Sequence, residues 1–442
     1  MSLTKKLVSG AAALALAGTA AMAAIHIEKD GTGDYLISPV YIANGNGWQT
    51  KIKVVNTNTT SAVIAKVIVR EGTLSKELVD FPLYLTPGDV FEATIKADSD
   101  GHIKIISDDD SAITGLDASG NIVSGVNVDL THNAGIIGQS CLNANMGYVE
   151  VIGLGDINES ELKKADGNWS VTCPYDKKKL FGLAPINGTS IDLSKAVDVA
   201  DSDLMGQQII YRNVADDNGK RAMFLNMLAF GDTLPAVPSG NNVLGSDQNL
   251  PVLGGSVANL QDELAKSHVY VMLEGNDKPG YLADPFLTIF TYPYWYASDA
   301  TCDDLNTYTL DENTTIFRDL TEHSNYCDKA PCEVNLSTDT GSSDFYSGPT
   351  EEHNETTCPE HNMTKEVQIV FFHDPEGIGA DPWAKKYMFK EGGYIDVDLS
   401  ADNNGTTNWK GVPVIPTTFY AKKVGDLYLN NHLYNQYLRE KK

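Results

Sequence analysis

The chain has 442 residues, with 59 acidic against 33 basic side chains and a formal net charge of −26. This length allows two or three domains with substantial cores. A chain this acidic repels nucleic acid and anionic membrane surfaces, so both classes of partner are disfavoured.

The first residues predict a secretory signal peptide. Residues 1–23 combine a basic start at Lys5 and Lys6, an apolar run too short to span a bilayer, and the small-residue cleavage pattern Ala21-Met22-Ala23. Removal of this segment leaves about 419 residues with a net charge of about −28. No later stretch has the roughly 18 uninterrupted apolar residues of a membrane span. The mature chain is therefore expected to be secreted, either extracellular or at the outer cell surface.

Residues 24–140 predict an antiparallel β-sandwich domain. Alternating runs such as YLISPVYI, WQTKIKVVN, SAVIAKVIVR and DVFEATIKA are rich in Val, Ile and Tyr, and turn signals such as NTNTT and TPGD separate them. Strand-like runs that recur at intervals of about 10 to 15 residues are typical of sandwiches. A mixed α+β domain is the alternative.

The rest of the chain predicts a second β-rich domain with an insertion. Strand-like runs continue through residues 141–299, with a short helix expected at residues 260–266. Residues 300–365 carry four cysteines and many acids but no alternating run long enough for a core strand. Strand signals resume over residues 366–442, so we expect a disulfide-stapled loop insertion between strands of one domain. The tail from residue 426 predicts a short amphipathic helix or a frayed end. The predicted fold class is mainly β.

Six cysteines in an exported chain predict up to three disulfides. Their connectivity cannot be deduced from spacing alone, although proximity along the chain favours a bond between Cys141 and Cys173, with the other four paired among themselves. The absence of a C-x-x-C-H motif argues against attached haem. The cysteines are Cys141, Cys173, Cys302, Cys327, Cys332 and Cys358.

Nine N-x-S/T tripeptides predict N-glycosylation. Asn58 and Asn187 have no acid two positions earlier. The other seven do, although Asp and Glu make up only 59 of 442 residues and chance would place an acid before about one of the nine. The pattern resembles the bacterial acceptor D/E-x-N-x-S/T, which implies that an arginine of an oligosaccharyltransferase pairs with the acid. Accidental sequons in an acidic, loop-rich chain are the alternative. The seven acceptors are Asn158, Asn168, Asn313, Asn335, Asn354, Asn362 and Asn404.

Calcium is the metal that the sequence favours as a possible cofactor. Asp98, Asp100 and Asp108 would supply hard oxygen ligands beside a turn glycine, as Ca²⁺ prefers. The full EF-hand loop pattern is missing, so a solvated acidic hairpin turn is the alternative. Zinc is disfavoured in residues 351–366, because the histidine and cysteine spacing fits no zinc motif and exported cysteines are usually oxidised.

Catalysis is not predicted. The chain has no G-x-S-x-G, H-E-x-x-H or phosphate-binding glycine loop, and a glycosidase-like pair of carboxylates is the alternative that sequence leaves open. The aromatic run TYPYWY, residues 291–296, predicts either stacking faces for sugar or burial in the sandwich.

The order of segments resembles a family of exported, β-rich proteins of Gram-negative bacteria. The resemblance rests on YLISPVYIANGNGWQTKIKVVNTN, VIVREG, ELVDFPLYLTPGDV, MGYVEVIGLG, GGYIDVDLS and GVPVIPTTFYAK, and it is weakest at residues 300–365. Such proteins generally have no assigned function and are treated as cell-surface or extracellular proteins. The resemblance therefore implies a location and a fold class, and it brings no catalytic residues.

Together these features predict a secreted, N-glycosylated structural protein. It would be a subunit of a surface layer, sheath or extracellular filament that associates with itself or with other cell-surface components. The alternative is an extracellular adhesin or carbohydrate-binding protein that uses residues 291–296.

Overall fold

The computed structural model describes most of the first half of the chain and the paired segments of the second half. The predicted signal peptide lies outside the described residues. The described residues are 25–45, 47–158, 176–196, 204–212, 222–231, 257–273, 282–283, 287–296, 299–305, 308–310, 315–319, 324–325, 361–363, 365–371, 393–400, 410–424, 427–434 and 436–438.

The protein is mainly β, as predicted. The strands of the first half are β1 His26–Ile27, β2 Thr32–Gly33, β3 Tyr35–Ile42, β4 Trp48–Asn56, β5 Ser61–Glu71, β6 Glu77–Leu85, β7 Val90–Ala97, β8 Ile103–Ser107, β9 Ile113–Leu116, β10 Ile122–Ser124, β11 Val126–Asp129, β12 Met146–Asn158, β13 Ile186–Asn187, β14 Ser190–Ile191, β15 Leu204–Arg212, β16 Ala222–Asn226 and β17 Leu228–Gly231. Two helices accompany them, α1 Leu130–Ile137 and α2 Lys177–Leu183.

The second half, defined here as residues 257–438, begins with the helix α3 Val257–Leu264. Its strands are β18 Ala265–Lys266, β19 His268–Leu273, β20 Leu282–Ala283, β21 Leu287–Thr291, β22 Tyr308–Leu310, β23 Thr315–Asp319, β24 Ser324–Asn325, β25 His361–Met363, β26 Val367–Phe371, β27 Gly393–Asp398, β28 Val412–Pro413, β29 Ile415–Val424, β30 Leu427–Tyr434 and β31 Gln436–Leu438.

Two antiparallel sheets form the predicted sandwich. The central sheet has the strand order β1-β17-β3-β12-β5-β6, and the outer sheet has the order β11-β8-β7-β4-β15-β16, with β2 beside β15. Residues alternate between buried and half-buried along β4, as a strand with one face in a core requires. Ile52 and Val54 of β4 pack with Val67 and Val151 of the central sheet in one hydrophobic core.

The central sheet is buried on both faces. Every residue of β3 is buried, as are nearly all those of β5 and β12. On the face away from the outer sheet, Ile64 and Ile152 pack in a second core with Leu260, Ile289 and Ile415 of the second half. The second half therefore covers this face of the central sheet. Any charged side chain on this face is shielded from water.

The first sandwich does not end at residue 140, so the boundary predicted there is wrong. Strand β12 lies in the middle of the central sheet, between β3 and β5, and β17 pairs with β3. Strands β15 and β16 complete the outer sheet. The alternation of apolar residues is a local signal, whereas membership of a sheet depends on partners that are distant in the chain.

Besides the two-stranded pairs β18-β28 and β22-β25, the described part of the second half contains two larger antiparallel sheets, with the orders β24-β23-β27-β19-β31 and β20-β29-β21-β26, and β30 beside β29. Strands from both sides of residues 300–365 meet in the latter sheet, because β21 pairs with β26 and β29. Residues 300–365 hold no run long enough to predict a core strand, yet they contribute short strands, and one of these, β23, pairs with β27. Its run TIFRD is too short to stand out as a strand without its partner.

The end of the chain is not helical, so the predicted amphipathic helix there is wrong. Strand β30 pairs with β29 over eight residue pairs, and β31 pairs with β19. Existing strand edges supply backbone partners that an isolated tail lacks, and they decide between helix and strand. None of the helices among the described residues combines the length and apolarity needed to cross a membrane.

Candidate functional site

The aromatic run at residues 291–296 is mostly enclosed. Tyr292 is 1% exposed and Tyr296 is 7% exposed, while Tyr294 and Trp295 are half-buried. The Tyr292 ring packs against Trp295, with ring centroids 4.9 Å apart, and against Phe290 at 6.3 Å. The four rings do not form a common exposed face, which removes the aromatic platform on which the sugar-binding alternative depended.

Tyr294 instead reaches a carboxylate on the central sheet. Its hydroxyl lies 2.5 and 2.6 Å from the two carboxylate oxygens of Glu150. Arg70 Nε donates to Glu150 Oε2 at 2.5 Å, and the Tyr35 hydroxyl donates to Glu150 Oε1. We call these four residues the Glu150 cluster. It joins three strands of the central sheet to one loop of the second half.

The register of the central sheet brings these side chains together. Tyr148 of β12 lies opposite Arg70 of β5, and Glu150 lies opposite Ile68. Because alternate residues of a strand share a face, Arg70 and Glu150 are diagonal neighbours on the face that the second half covers. Tyr35 reaches Glu150 in the same way from β3, where it lies opposite Ile152.

The Glu150 cluster is a buried ion pair whose polar groups are occupied by one another. Glu150 is 0% exposed and Arg70 is 2% exposed. Arg70 also donates to the Ser75 carbonyl oxygen at 2.9 Å, and its guanidinium lies 4.9 Å from the centre of the Tyr294 ring. Burial is the largest cause that raises the pKa of Tyr35 and of Tyr294 well above the usual range, so both hydroxyls stay protonated donors.

Two residues with an unusual backbone conformation meet at this cluster. Ser75 has φ of 54° and Tyr294 has φ of 58°, the left-handed region that costs a non-glycine residue about 1–3 kcal/mol. They touch each other, since the Tyr294 backbone N–H lies 3.4 Å from Ser75 Oγ, and that oxygen accepts from the Tyr148 hydroxyl at 2.6 Å. Backbone strain is therefore concentrated where the second half meets the sandwich.

A second buried carboxylate, Glu366, lies at the same boundary. It is 0% exposed, and its Oε1 accepts from the Tyr296 backbone N–H at 2.9 Å. Its Oε2 has no hydrogen-bond partner among the described residues. Burial raises the pKa of Glu366 well above its ordinary range, and the nearby Glu71 carboxylate raises it further. Folding therefore favours the protonated form of Glu366.

Glu71 has a different environment from Glu366. Its carboxylate accepts three backbone N–H groups, from Thr73 at 2.7 Å, Leu74 at 2.6 Å and Lys76 at 3.1 Å. Burial nevertheless raises the pKa of Glu71, although these hydrogen bonds oppose the shift. Glu71 thus organises the turn between β5 and β6, and Glu366 lies against that turn.

Backbone hydrogen bonds connect the turn to the second half. Val367 N–H donates to the Gly72 carbonyl at 2.7 Å, and Tyr292 N–H donates to the Glu366 carbonyl at 2.6 Å. Gly72 permits this approach, because a Cβ there would lie 2.9 Å from the Met146 carbonyl oxygen and 3.2 Å from Val367 Cβ. The boundary formed by the Glu150 cluster, Glu71, Gly72 and residues 366–367 is called the junction below.

A disulfide closes the junction covalently. It joins Cys141 to Cys302, 161 residues apart, with the two Cα atoms 5.7 Å apart. The pairing of Cys141 with Cys173 that proximity favoured is wrong, because packing of the second half on the central sheet brings residue 302 to Cys141. Thr73 Oγ1 also donates to the Cys141 carbonyl at 3.0 Å. The cysteines outside the described residues are Cys173, Cys327, Cys332 and Cys358.

The three aspartates predicted to bind calcium do not converge. Asp98 and Asp100 precede β8 and Asp108 follows it, so a five-residue strand of about 16 Å separates them. Asp98 instead forms an ion pair with Lys104, with the Lys104 Nζ 2.7 Å from the Asp98 carboxylate. The hydrogen bond from Lys104 is the main cause that lowers the pKa of Asp98 to about 2. This calcium prediction is wrong, and the described residues contain no group of three or more metal-ligating side chains.

Two of the seven acceptors with a preceding acid are described, and both lie on strands. Asn158 is the exposed last residue of β12, but the acid before it, Asp156, is buried in that strand opposite Val63. Asn362 lies in β25, opposite Thr309 of β22. The predicted acceptors outside the described residues are Asn168, Asn313, Asn335, Asn354 and Asn404.

No motif in the sequence predicts the junction. Arg70 and Glu150 stand inside the apolar runs VIVREG and MGYVEVIGLG, where a charge interrupts an otherwise buried strand. A charged residue in such a run is almost never buried without a partner, so each was a signal of a hidden pair. The sequence alone does not tell which arginine meets which glutamate.

Burial of Glu366 at the junction predicts that the stability of the protein depends on pH. Glu366→Gln retains an acceptor for the Tyr296 N–H but cannot ionise, so we expect the variant to melt at a higher temperature than wild type near neutral pH. The folded pKa of Glu366 is raised, so its contribution to stability is full below the unfolded pKa of about 4.3 and is lost as pH rises through the folded pKa. Melting temperatures of the two proteins should therefore converge near pH 4, as measured by circular dichroism.

Glu92→Gln is the matched control for this experiment. The pKa of Glu92 is lowered, chiefly by its hydrogen bond from Lys51, so its removal should slightly destabilise the protein at neutral pH and change little in acid. A Glu366→Gln variant that is less stable than wild type at neutral pH would show that the ionised carboxylate is needed.

Comparison with known proteins finds no family, no curated protein and no solved structure that matches this chain. The resemblance to exported β-rich proteins of Gram-negative bacteria therefore stays a prediction.

Proposed function

We propose that this protein is a secreted, N-glycosylated structural protein, a subunit of a surface layer, sheath or extracellular filament. The observation that carries the proposal is the junction. A building block of an extended assembly must keep its parts fixed under load, and the disulfide, the buried ion pair and the strained loop together fix the second half against the central sheet.

The chemistry of the junction fits a structural role better than a catalytic one. The carboxylate of Glu150 is 0% exposed and accepts from Arg70, Tyr35 and Tyr294. A general acid or base must reach a substrate proton, whereas these groups use their hydrogen bonds on one another. Such an arrangement gives a single defined geometry between the parts it joins.

Composition supports the same function. A net charge of −26 keeps a chain soluble at high local concentration before assembly, and disulfides suit an oxidising location outside the cytoplasm. The acidic acceptor pattern would place glycans in residues 300–365. The adhesin alternative has lost its main argument, because the aromatic run is mostly enclosed.

The proposal is tested on native material. We expect glycopeptide mass spectrometry to find glycan on Asn313, Asn335, Asn354 and Asn362, and electron microscopy with a labelled antibody to find the chain in an assembly on the cell surface. Unmodified peptides at all four acceptors, together with label distributed only in the soluble medium, would refute the proposal.

The chain provides its own control for the glycosylation experiment. Asn58 and Asn187 are N-x-T acceptors without a preceding acid, so they should stay unmodified if the acid is required. Asp156 is buried in β12, so modification of Asn158 requires access before that strand folds and should be incomplete. Equal occupancy at Asn58 and at the acidic acceptors would contradict the bacterial pattern.

A further inference from the structure

A fully buried lysine contacts an aspartate on the edge strand of the central sheet. The Lys66 side chain of β5 is 0% exposed, and its Nζ lies 2.7 Å from Asp80 Oδ2 of β6. The Asp80 side chain is only 8% exposed. Lysine is almost never fully buried unless it is paired, and desolvation of two charges can cost more than their attraction returns. A stabilising ion pair is therefore a weak explanation for the burial of Lys66.

The register of β5 and β6 places both groups on the face of the central sheet that the second half covers. Lys66 lies opposite Pro82 of β6 and Ile152 of β12. Asp80 lies opposite Ile68, the next residue of β5 on the same face. Ile68 and Ile152 belong to the core that the central sheet shares with the second half. Apolar side chains thus flank the contact between Lys66 and Asp80.

An amine and a carboxyl group held in contact away from water are the reactants of an amide bond. Transfer of one proton from the ammonium group to the carboxylate gives a neutral amine and a neutral carboxylic acid. Loss of hydration narrows the free-energy difference between the charged and the neutral pair. Because the fold holds the two groups together, the reaction between them is effectively unimolecular.

The reaction balances without any other reactant. The lone pair of Lys66 Nζ attacks Asp80 Cγ, and a new N–C bond forms. The C–O bond to the hydroxyl group of the acid breaks, and this hydroxyl leaves with a proton from the nitrogen as one water molecule. The product is an amide, so neither group is oxidised or reduced.

From this geometry we propose that Lys66 and Asp80 form an intramolecular isopeptide bond. Among the described strands, β6 pairs with β5 alone, and Pro82, which has no backbone N–H, is typical of such an edge strand. Backbone hydrogen bonds hold an edge strand on one side only. The isopeptide bond attaches β6 to the central sheet covalently, in addition to those hydrogen bonds.

Tryptic peptide mapping of the purified mature chain, with its disulfides reduced, tests the proposal. Trypsin does not cleave after an acylated lysine. We therefore expect residues 54–70 to be recovered joined to residues 77–96, as one species that is lighter by one water molecule than the two peptides together. Recovery of a separate peptide 54–66 that ends at an unmodified Lys66, with an unmodified peptide 77–96, would overturn the proposal.

The chain contains a matched control for the effect of burial. Lys104 Nζ also lies 2.7 Å from an aspartate oxygen, Oδ2 of Asp98, but these two side chains are 29% and 22% exposed. Water solvates both charges there, so we expect no linked peptide from this pair. An equal yield of linked peptide from Lys104 and Asp98 would show that burial does not drive the reaction and would overturn the proposal.

The variant Lys66→Arg identifies the lysine that reacts. Arginine keeps a cation beside Asp80, but its guanidinium group stays charged and does not form this amide. The linked species should be absent from the variant, and peptide 77–96 should have its full mass. A peptide 77–96 that is still linked in Lys66→Arg would assign the bond to another lysine and overturn the proposal.

The isopeptide bond goes beyond the proposed function and can fail separately from it. The linked peptide is sought within one chain, whether or not that chain assembles or carries glycan. Separate peptides would overturn the isopeptide bond and leave the glycan and microscopy results unchanged. A chain found in no assembly and without glycan would refute the structural function and leave the linked peptide unchanged.

Discussion

Replacing Arg70 with methionine is expected to lower the free energy of unfolding by about 3–5 kcal/mol. The change leaves the fully buried carboxylate of Glu150 without its cation, while Tyr35 and Tyr294 remain as neutral donors. An uncompensated buried charge costs far more than the lost contact itself. Denaturant unfolding, followed by circular dichroism, measures the change.

Two controls make this experiment specific to the buried pair. Lys51→Met removes a cation from Glu92 at the surface, where both side chains are about a third exposed, and should cost less than about 1 kcal/mol. The double variant Arg70→Met, Glu150→Gln removes both buried charges, keeps a side-chain oxygen as acceptor for Tyr35 and Tyr294, and should recover part of the stability that Arg70→Met loses. Equal effects of Arg70→Met and Lys51→Met would show that burial of the pair does not matter.

The second large effect is expected from opening the disulfide. The Cys141→Ser, Cys302→Ser double variant releases a loop closed over 161 residues, and loop-closure entropy predicts a loss of roughly 5 kcal/mol. We expect the junction to open first, because the disulfide lies beside the turn of residues 71–76 and the loop at residues 292–296. Protease cleavage near residue 300 and a lower melting temperature measure this effect.

Peptide mapping without reduction is the control for that prediction. It should recover one linked peptide that contains Cys141 and Cys302, and the link should disappear on reduction. A peptide that links Cys141 to Cys173 would contradict the pairing, and wild-type protease resistance of the double variant would contradict its role at the junction.

These predictions depend on side chains that the sequence did not single out. Strand β4 was predictable because WQTKIKVVN alternates between apolar and polar residues, and a strand with one buried face requires that period. Arg70 and Glu150 were visible only as interruptions of apolar runs. They are 80 residues apart in the chain, and only the register of β5 against β12 makes them neighbours.

The disulfide and the tail illustrate the same limit. Proximity along the chain favoured Cys173 as the partner of Cys141, but a disulfide requires Cα atoms a few ångströms apart in space. The sequence of residues 427–438 is compatible with a helix or a frayed end. In the structure these residues form strands, because the edges of β29 and β19 supply backbone hydrogen-bond partners. In both cases the deciding partner lies far away in the sequence.

Antiparallel β-strands could be predicted from the sequence alone. Apolar and polar residues alternate with a period of two along each strand, and this alternation can be recognised within a short stretch of the chain. The acidity, the cysteines and the acceptor tripeptides are likewise visible in the sequence, because they are matters of composition and motif. Only the tertiary structure decided that the second half covers the central sheet and that Arg70, Glu150 and Glu366 are buried with their particular neighbours. The reason is physical: register and packing are set by the summed burial of many distant residues, and no local stretch of the chain contains that sum.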